Sequence, residues 1–435
     1  MNSKSRKKVA FHTLGCKLNF AETSTIARSF PDEEFERVPS TKKADVYVIN
    51  TCSVTDVADR KCRQTIKKFI HQSPDAFIIV AGCYAQLRPE KISSIPGVDL
   101  VLGTNEKFDI AKYLGDNKKR TKAEIHSCDL QADGSFKASF SLGDRTRSFL
   151  KVQDGCDYSC SYCTIPMARG ASRNPEISEL VSEARSIAEK GVKEIVLTGV
   201  NIGDFGRSTG DSFLELIKQL AGVDGIDRYR ISSIEPNLLN DDLIRLAAIN
   251  PKILPHFHIP LQSGSNKILG LMRRRYRREV FSDRIEMIRK HIPHAGIGAD
   301  VIVGFPGETD EDFNDTYEFL DSLALTYLHV FTYSERPGTA SAALPGKVKH
   351  EDKEARSRKL ISLSSEKHHH FLLSSAGSSA SVLFEHTKSG GMISGYTANY
   401  IRVEHPWHSS LAGQIRNVIL TGMTGSDRMK IEITG

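Results

Sequence analysis

The pattern of apolar positions divides the chain into three stretches. In the first ~120 residues, continuous apolar runs at 9–13, 46–50 and 77–81 alternate with amphipathic stretches at 21–29 and 57–70. Short Val- and Ile-rich runs read as strands buried on both faces, and the stretches between them as crossover helices. Alternation of this kind predicts an α/β domain with an open parallel sheet. The charged segment 115–120 predicts the end of this domain, taken as residues 1–120. A linker over 121–144 follows, with Gly134 and Ser135 at its centre.

A longer βα series occupies residues 145–373. Strands are predicted at 148–153, 194–199, 228–234, 256–262, 298–304 and 327–333, with helices at 177–190, 213–220, 280–291 and 310–323. Six units predict a partial (β/α)6 TIM-type barrel, a fold that collects its chemistry at the carboxyl ends of the strands. An exit helix is predicted over 351–373, with His368-His369-His370 on a solvated face. In residues 374–435 short runs at 381–384, 391–395, 401–404, 413–420 and 429–433 are separated by Gly, Ser and Asn. They predict a small all-β barrel.

The candidate chemistry is thiol chemistry. Cys156, Cys160 and Cys163 follow the first barrel strand in a C-x3-C-x2-C loop. Thiolates select iron–sulfur clusters, zinc or cuprous copper. Structural zinc sites are closed by four ligands, so three local cysteines favour an iron–sulfur cube with one open iron. A zinc site with a distant fourth ligand stays possible at this point. Cys16, Cys52 and Cys83 each lie one to three residues past a predicted strand of the first sheet. In open parallel sheets those ends converge on one crevice, so the three thiols can meet in space. Cys62, mid-helix, and Cys128, in the linker, read as packing residues.

Composition narrows the class. At 39% hydrophobic and 26% charged residues the chain reads as a soluble protein. It has no apolar run of the ~18–20 residues that span a bilayer. The basic residues 1–8 precede no signal-peptide core. A cytoplasmic location, no membrane partner and reduced thiols are expected. The excess of 59 Lys and Arg over 53 Asp and Glu, a net charge of +6, permits an acidic partner. Arg273, Arg274, Arg275, Arg277 and Arg278, with Tyr276 among them, read either as a solvated helix face or as a phosphate-binding edge for nucleic acid.

With Asn50-Thr51-Cys52, Ala81-Gly82-Cys83, Cys163-Thr164-Ile165-Pro166, Leu261-Gln262-Ser263-Gly264-Ser265 and Gly304-Phe305-Pro306-Gly307-Glu308, nearly the whole chain resembles the methylthiotransferases of the radical S-adenosylmethionine (SAM) superfamily. The resemblance implies two 4Fe–4S clusters, one per cysteine triad. The barrel cluster binds SAM at its open iron and cleaves it, by one electron, to methionine and a 5′-deoxyadenosyl radical. The auxiliary cluster handles sulfur, and a C–H bond becomes C–S–CH3. It implies SAM contacts at Tyr162, Gly199, Asn201, Ser233, Glu235, Gln262, Val303 and Gly304, with Tyr162 packing on adenine and Val303 and Gly304 passing under it. The last domain is placed like a TRAM RNA-binding module, although residues 375–435 hold only five Lys and Arg against four acids. Residues Thr13-Leu14-Gly15-Cys16-Lys17-Leu18-Asn19 are most similar to the type acting on threonylcarbamoyladenosine beside the anticodon. That implies tRNA as partner, an electron donor such as flavodoxin or ferredoxin, and a sulfur donor. Types acting on isopentenyladenosine or on a ribosomal-protein aspartate, and a non-catalytic RNA-binding metalloprotein, are the alternatives.

Overall fold

The computed structural model describes residues 6–130, 135–143, 145–425 and 427–434; Gly134, expected at the linker centre, and residues 1–5 of the basic start lie outside them. The first domain runs β1 (Lys7–Thr13), α1 (Lys17–Arg28), β2 (Phe35–Arg37), β3 (Val46–Thr51), α2 (Asp56–Gln72), β4 (Phe77–Gly82), α3 (Cys83–Leu87), α4 (Pro89–Ser93), β5 (Leu100–Leu102), α5 (Ile110–Leu114) and β6 (Glu124–His126). The strands form one parallel sheet in the order β2-β1-β3-β4-β5-β6. Alternate residues feed two cores. Tyr47, Ile49, Ile78 and Val80 pack on one face, and Val46, Val48, Phe77 and Ile79 on the other. Burial of both faces explains the unbroken apolar runs. The order reverses between β1 and β3, the point where doubly wound sheets open a ligand crevice.

The expected linker is partly structure. Strand β6 completes the first sheet inside it, and residues 139–141 pair antiparallel along the next strand through Ser141 N–H to Phe149 O and Lys151 N–H to Ser139 O. These segments are short and polar, which hid them from a periodicity reading.

The central domain continues with β7 (Ser148–Lys151), α6 (Ile165–Arg169), α7 (Ile177–Ala188), β8 (Glu194–Thr198), α8 (Phe213–Ala221), β9 (Arg228–Ile231), α9 (Asp241–Ile249), β10 (His256–Gln262), α10 (Asn266–Leu271), α11 (Arg278–His291), β11 (Gly296–Val303), α12 (Asp310–Ser322), β12 (Tyr327–Thr332) and the exit helix α13 (His350–Ser375). All six strands are parallel, in two three-stranded sheets joined by bridges Tyr229–Ile253 and Ser233–His258. Strand β9 ends at Ile231, three residues before its predicted limit. Leu197, Ile231, Ile259 and Val301 face the helices in one continuous core. Helix α1 covers β7 at the open side of the barrel. In α13, His369 and His370 are exposed and His368 is half-buried.

Strands β13 (Ser379–Ser389), β14 (Met392–Thr397), β15 (Arg402–Pro406), β16 (Ile415–Thr424) and β17 (Arg428–Ile433) close into a barrel. It docks on the amino ends of the central strands. Arg228 reaches Ser381 Oγ at 2.8 Å, and Asn399 donates to His294 O at 2.9 Å. Tyr400 packs against His256 with ring centroids 4.5 Å apart. The opposite, carboxyl ends are left to the cysteine loop.

Candidate active site

Cys16 follows β1 as the residue before α1, Cys52 follows β3, and Cys83 opens α3 after β4. Two of these strand ends flank the crevice where the sheet order reverses. Two asparagines lash the loops together. Asn19 donates to Leu14 O at 2.8 Å and Thr51 O at 3.1 Å, and Asn50 donates to Asn19 O at 3.1 Å. Gly15 has φ +102°, and a Cβ there would stand 2.5 Å from Cys52 Cβ and 2.8 Å from its Sγ. Burial pushes the Cys52 thiol up to about 12, and Cys83 and Cys16 add to the rise. The same desolvation raises Cys16, opposed by the nearby Arg169 guanidinium. Cys52 and Cys83 are buried; Cys16 keeps some accessible surface, although protein surrounds it closely enough to desolvate its thiol.

The second triad sits in the loop from β7 to α6. Gly155 at φ +71° lets this loop pass Ala171, whose carbonyl oxygen would lie 1.8 Å from an added Cβ. Each thiol meets a donor. Tyr158 N–H points to Cys156 Sγ and Ile165 N–H to Cys163 Sγ, each at 3.4 Å, and Arg274 Nη1 lies 3.2 Å from Cys160 Sγ. Desolvation, the largest cause, pushes Cys156 up to about 12 and Cys163 to about 11. Such thiols surrender their protons only to a strong cation, so metal ligation is what would ionise them.

The two triads are neighbours. Thr164 Oγ1, next to Cys163, donates to the carbonyl of Ser53, next to Cys52, at 3.4 Å. Arg336 clamps the same loop through Ser53 Oγ and Asp59, both at 2.8 Å. Among the described residues, the one group of three metal-ligating side chains whose donor atoms all lie within 4.8 Å is His258, Asp300 and His329. Each cysteine triad supplies three thiols and leaves the fourth corner of a structural zinc site unfilled, so the donor set fits an iron–sulfur cube with one open iron.

Two family models match. Residues 8–103 match the one described as uncharacterized protein family UPF0004, and residues 150–320 match the radical SAM superfamily. The chain is 40% identical to threonylcarbamoyladenosine tRNA methylthiotransferase MtaB of Bacillus subtilis, over 94% of this chain and 93% of that protein. It is 36% identical to the protein of the same name from Aquifex aeolicus, over 95% and 100%. It is also 36% identical to tRNA-2-methylthio-N(6)-dimethylallyladenosine synthase of Wolinella succinogenes, over 88% and 89%. The chain belongs to the radical SAM methylthiotransferases. In fold it is similar to the radical SAM methyltransferase TsrM of Kitasatospora setae, with TM-score 0.56 at 14% identity, covering 78% of this chain and 77% of that one. The cofactors of this family are SAM and two 4Fe–4S clusters.

The residues expected around SAM divide. Glu235 and Arg274 form a close ion pair beside Cys160. Tyr162 packs edge-on to Phe305 at 6.1 Å. Asn201 is buried with Oδ1 lacking a protein partner. Gly199 passes 2.8 Å from Gln153 O at an added Cβ. Ser233 bridges to β10, and Gln262 takes φ +69° at a register shift in β10. Val303 turns its side chain into the helix-facing core and so presents only backbone toward the lumen. One expectation is corrected: the space over the Gly304 Cα is filled by Lys353 of α13, 2.3 Å from an added Cβ, so Gly304 offers no bare surface under a ring.

The arginine run is also corrected. Residues 273–277 form a turn between α10 and α11, with Arg273 at φ +57°, and Arg278 opens α11, so the run is not one helix face. The Arg274 side chain is 4% exposed and faces Glu235 and Cys160, so it is closed to a phosphate backbone. Tyr276 is buried, its hydroxyl donating to Pro260 O at 2.6 Å. Arg275 braces the cysteine loop through Asp157 O and the face of Tyr158. Arg273, Arg277 and half-exposed Arg278 remain on the surface.

Sequence reasoning missed a buried ionic knot behind the auxiliary triad. Glu22 meets Lys107 at 2.6 Å, Arg169 at 2.9 Å and Lys151 at 3.2 Å. Asp154 meets Lys151 at 2.6 Å, Arg169 at 2.9 Å and Arg173 at 3.3 Å. The available signal was Lys151 and Asp154, charged residues inside or just past an apolar strand. Cys62 matches its expected packing role, its thiol donating to Cys52 O at 3.3 Å.

Proposed function

We propose that this protein replaces the C2–H bond of threonylcarbamoyladenosine in tRNA, beside the anticodon, with a C–S–CH3 group. The observation that supports the reading is the hydrogen bond between the two cysteine loops, from Thr164 to the carbonyl of Ser53, which makes the two triads neighbours. Cys156, Cys160 and Cys163 would hold one 4Fe–4S cluster, and Cys16, Cys52 and Cys83 the other. Once bound, these groups supply the electron that cleaves SAM and the sulfur that is transferred. The chain's own residues orient and shield them. Arg274 holds Cys160 and Glu235 in place, and Asn19 and Asn50 fix the two loops of the sheet. Burial of Cys52 and Cys83 shields that side of the auxiliary site from water.

The small barrel would anchor the tRNA as a TRAM-like module, assisted by exposed Arg273, Arg275 and Arg277. The reaction needs a low-potential electron donor such as flavodoxin or ferredoxin, and a sulfur donor to replace what each turnover consumes. No helix of the described residues is long and apolar enough to cross a membrane, and a cytoplasmic site of action follows from the tRNA substrate.

Nucleoside mass spectrometry of tRNA from a deletion strain tests the reading. The 2-methylthio form of threonylcarbamoyladenosine should disappear and its unthiolated parent accumulate. Loss of the methylthio group from isopentenyladenosine or from a ribosomal protein instead would refute it.

A further inference from the structure

A cavity of about 450 Å3 opens below the Cys16 loop, between Gly15 and Lys17 of the first domain, Arg147 and Arg230 of the central barrel, and Tyr396 and Tyr400 of the small barrel. Its size is that of a pocket for a small-molecule-sized group. Five basic side chains line it, counting Arg145 and Arg402. Arg147 is held by Glu385, Arg230 by Glu194 at 2.8 Å, and Arg402 by Asp427 at 3.6 Å. Arg145 stacks over Phe20 with its guanidinium 4.4 Å from the ring centroid. Among the described residues, Lys17 alone of the five has no acid, acceptor or ring against its side-chain nitrogen.

The Lys17 ammonium stands within electrostatic reach of Arg230, Arg147, Cys16 and Asp300. Asp300 is engaged elsewhere, with His258 at 2.9 Å and His329 at 3.3 Å. An exposed ammonium on which two guanidiniums act more strongly than any carboxylate has room for one anion. A carboxylate arriving there would relieve the repulsion and gain charge-assisted hydrogen bonds.

We infer that Lys17, with Arg147 and Arg230 behind it, holds the free carboxylate of the threonylcarbamoyl group and so selects tRNA bearing that group over tRNA with an apolar substituent on the same nitrogen. The inference rests on the proposed reaction. Adenine C2 and N6 share one edge of the ring with N1 between them. A base that presents C2 to the Cys16 side therefore brings its N6 substituent to the adjoining wall, where Lys17 follows Cys16 directly. Tyr396 and Tyr400, stacked with centroids 4.9 Å apart, carry Arg147 and Arg230 against their rings and so fix the two guanidiniums behind Lys17.

The test uses the full-length, cluster-loaded protein and an anticodon stem-loop RNA carrying either threonylcarbamoyladenosine or its methyl ester, which keeps the shape and removes the charge. Binding is read by fluorescence anisotropy. The protein should bind the acid about 10- to 100-fold more tightly than the ester, the range of one charge-assisted contact. Lys17→Met should bind both forms at the ester's affinity, and Lys17→Arg should restore most of the preference; iron content is measured in parallel. An unsubstituted protein that binds acid and ester equally would overturn the inference without any variant. So would a Lys17→Met protein that keeps the preference, or one weakened equally on every RNA including an unmodified stem-loop, the signature of a phosphate contact. A protein that methylthiolates isopentenyladenosine RNA and ignores the threonylcarbamoyl RNA overturns the proposed reaction and the inference together; a threonylcarbamoyl-specific enzyme with a charge-blind Lys17 overturns the inference alone.

Discussion

Gly15→Ala attacks the auxiliary triad without touching a thiol. At φ +102° an alanine pays the left-handed penalty, about 1–2 kcal/mol. Its Cβ would also lie 2.5 Å from Cys52 Cβ, a backbone-anchored atom that cannot swing away. Relieving such an overlap costs about 1–3 kcal/mol more. Together, about 2–5 kcal/mol disfavours the closed loop by about thirtyfold or more. Either Cys16 or Cys52 must shift, and a three-point site then loses a point. After anaerobic reconstitution, iron should fall from about eight to about four per chain, one cube instead of two. Release of 5′-deoxyadenosine from SAM should survive, because the barrel triad is intact, while methylthiolated product disappears. The reciprocal Gly155→Ala, with an added Cβ 1.8 Å from Ala171 O, should abolish SAM cleavage. A Gly15→Ala protein with about eight irons and undiminished product would refute the claim that this close approach builds the auxiliary site.

Cys62→Ala should keep about eight irons, whereas Cys52→Ala should keep about four; equal losses by iron assay would make Cys62 a ligand. Arg169→Met removes the guanidinium shared by Glu22 and Asp154 but leaves each carboxylate two cations. The loss should therefore stay below the about 3–5 kcal/mol of a stranded buried charge, and a urea midpoint lowered by that full amount would show that the remaining cations do not compensate. Asp312 accepts from Lys267 at 2.6 Å, Ser265 Oγ at 2.9 Å and Thr309 N–H at 3.0 Å, which hold its carboxyl down at about 2 against burial. A lowered folded-state value stabilises above the unfolded value near 4 and is lost as pH falls from about 4 to about 2. Because Lys267 is half-exposed, the contribution is about 1–2 kcal/mol. Asp312→Asn should flatten the stability profile in that window, as read by circular dichroism.

What was legible in the chain depended on period. The strands carrying Cys16, Cys52 and Cys83 are buried on both faces, so they print as solid apolar runs and their ends can be located to within a residue or two. That was enough to bring three distant cysteines together. Strands β2, β5 and β6 are three residues each, too short to show a period. The arginine run misled because charge density says nothing about direction. Met272 just before the run and Tyr276 within it are buried, and they pin the turn so that Arg274 faces inward. Parity along β11 places Val303 on the helix-facing side with Val301, while Asp300 looks into the lumen. Lys17 was read only as part of a resemblance, since its role depends on a cavity built by three domains.

The ionic knot explains why the auxiliary triad can sit so deep. Four cations, Lys107, Lys151, Arg169 and Arg173, face two carboxylates, Glu22 and Asp154. Two positive charges are left over in a region closed to water. An isolated surplus of this kind is unfavourable, and its nearest outlet is the triad. Cys83 favours the charged forms of Arg169 and Lys107, and Arg169 opposes the rise at Cys16. Three thiolates on a 4Fe–4S core of charge +2 would carry a net charge of −1, which would offset one of the two. The knot therefore costs stability while the thiols are protonated and returns it once they ionise, which ties cluster loading to the docking of the first domain on the barrel. If that coupling holds, loading the auxiliary triad should raise the urea midpoint of the intact protein and leave a much smaller gain in Arg169→Met, in which the surplus is halved.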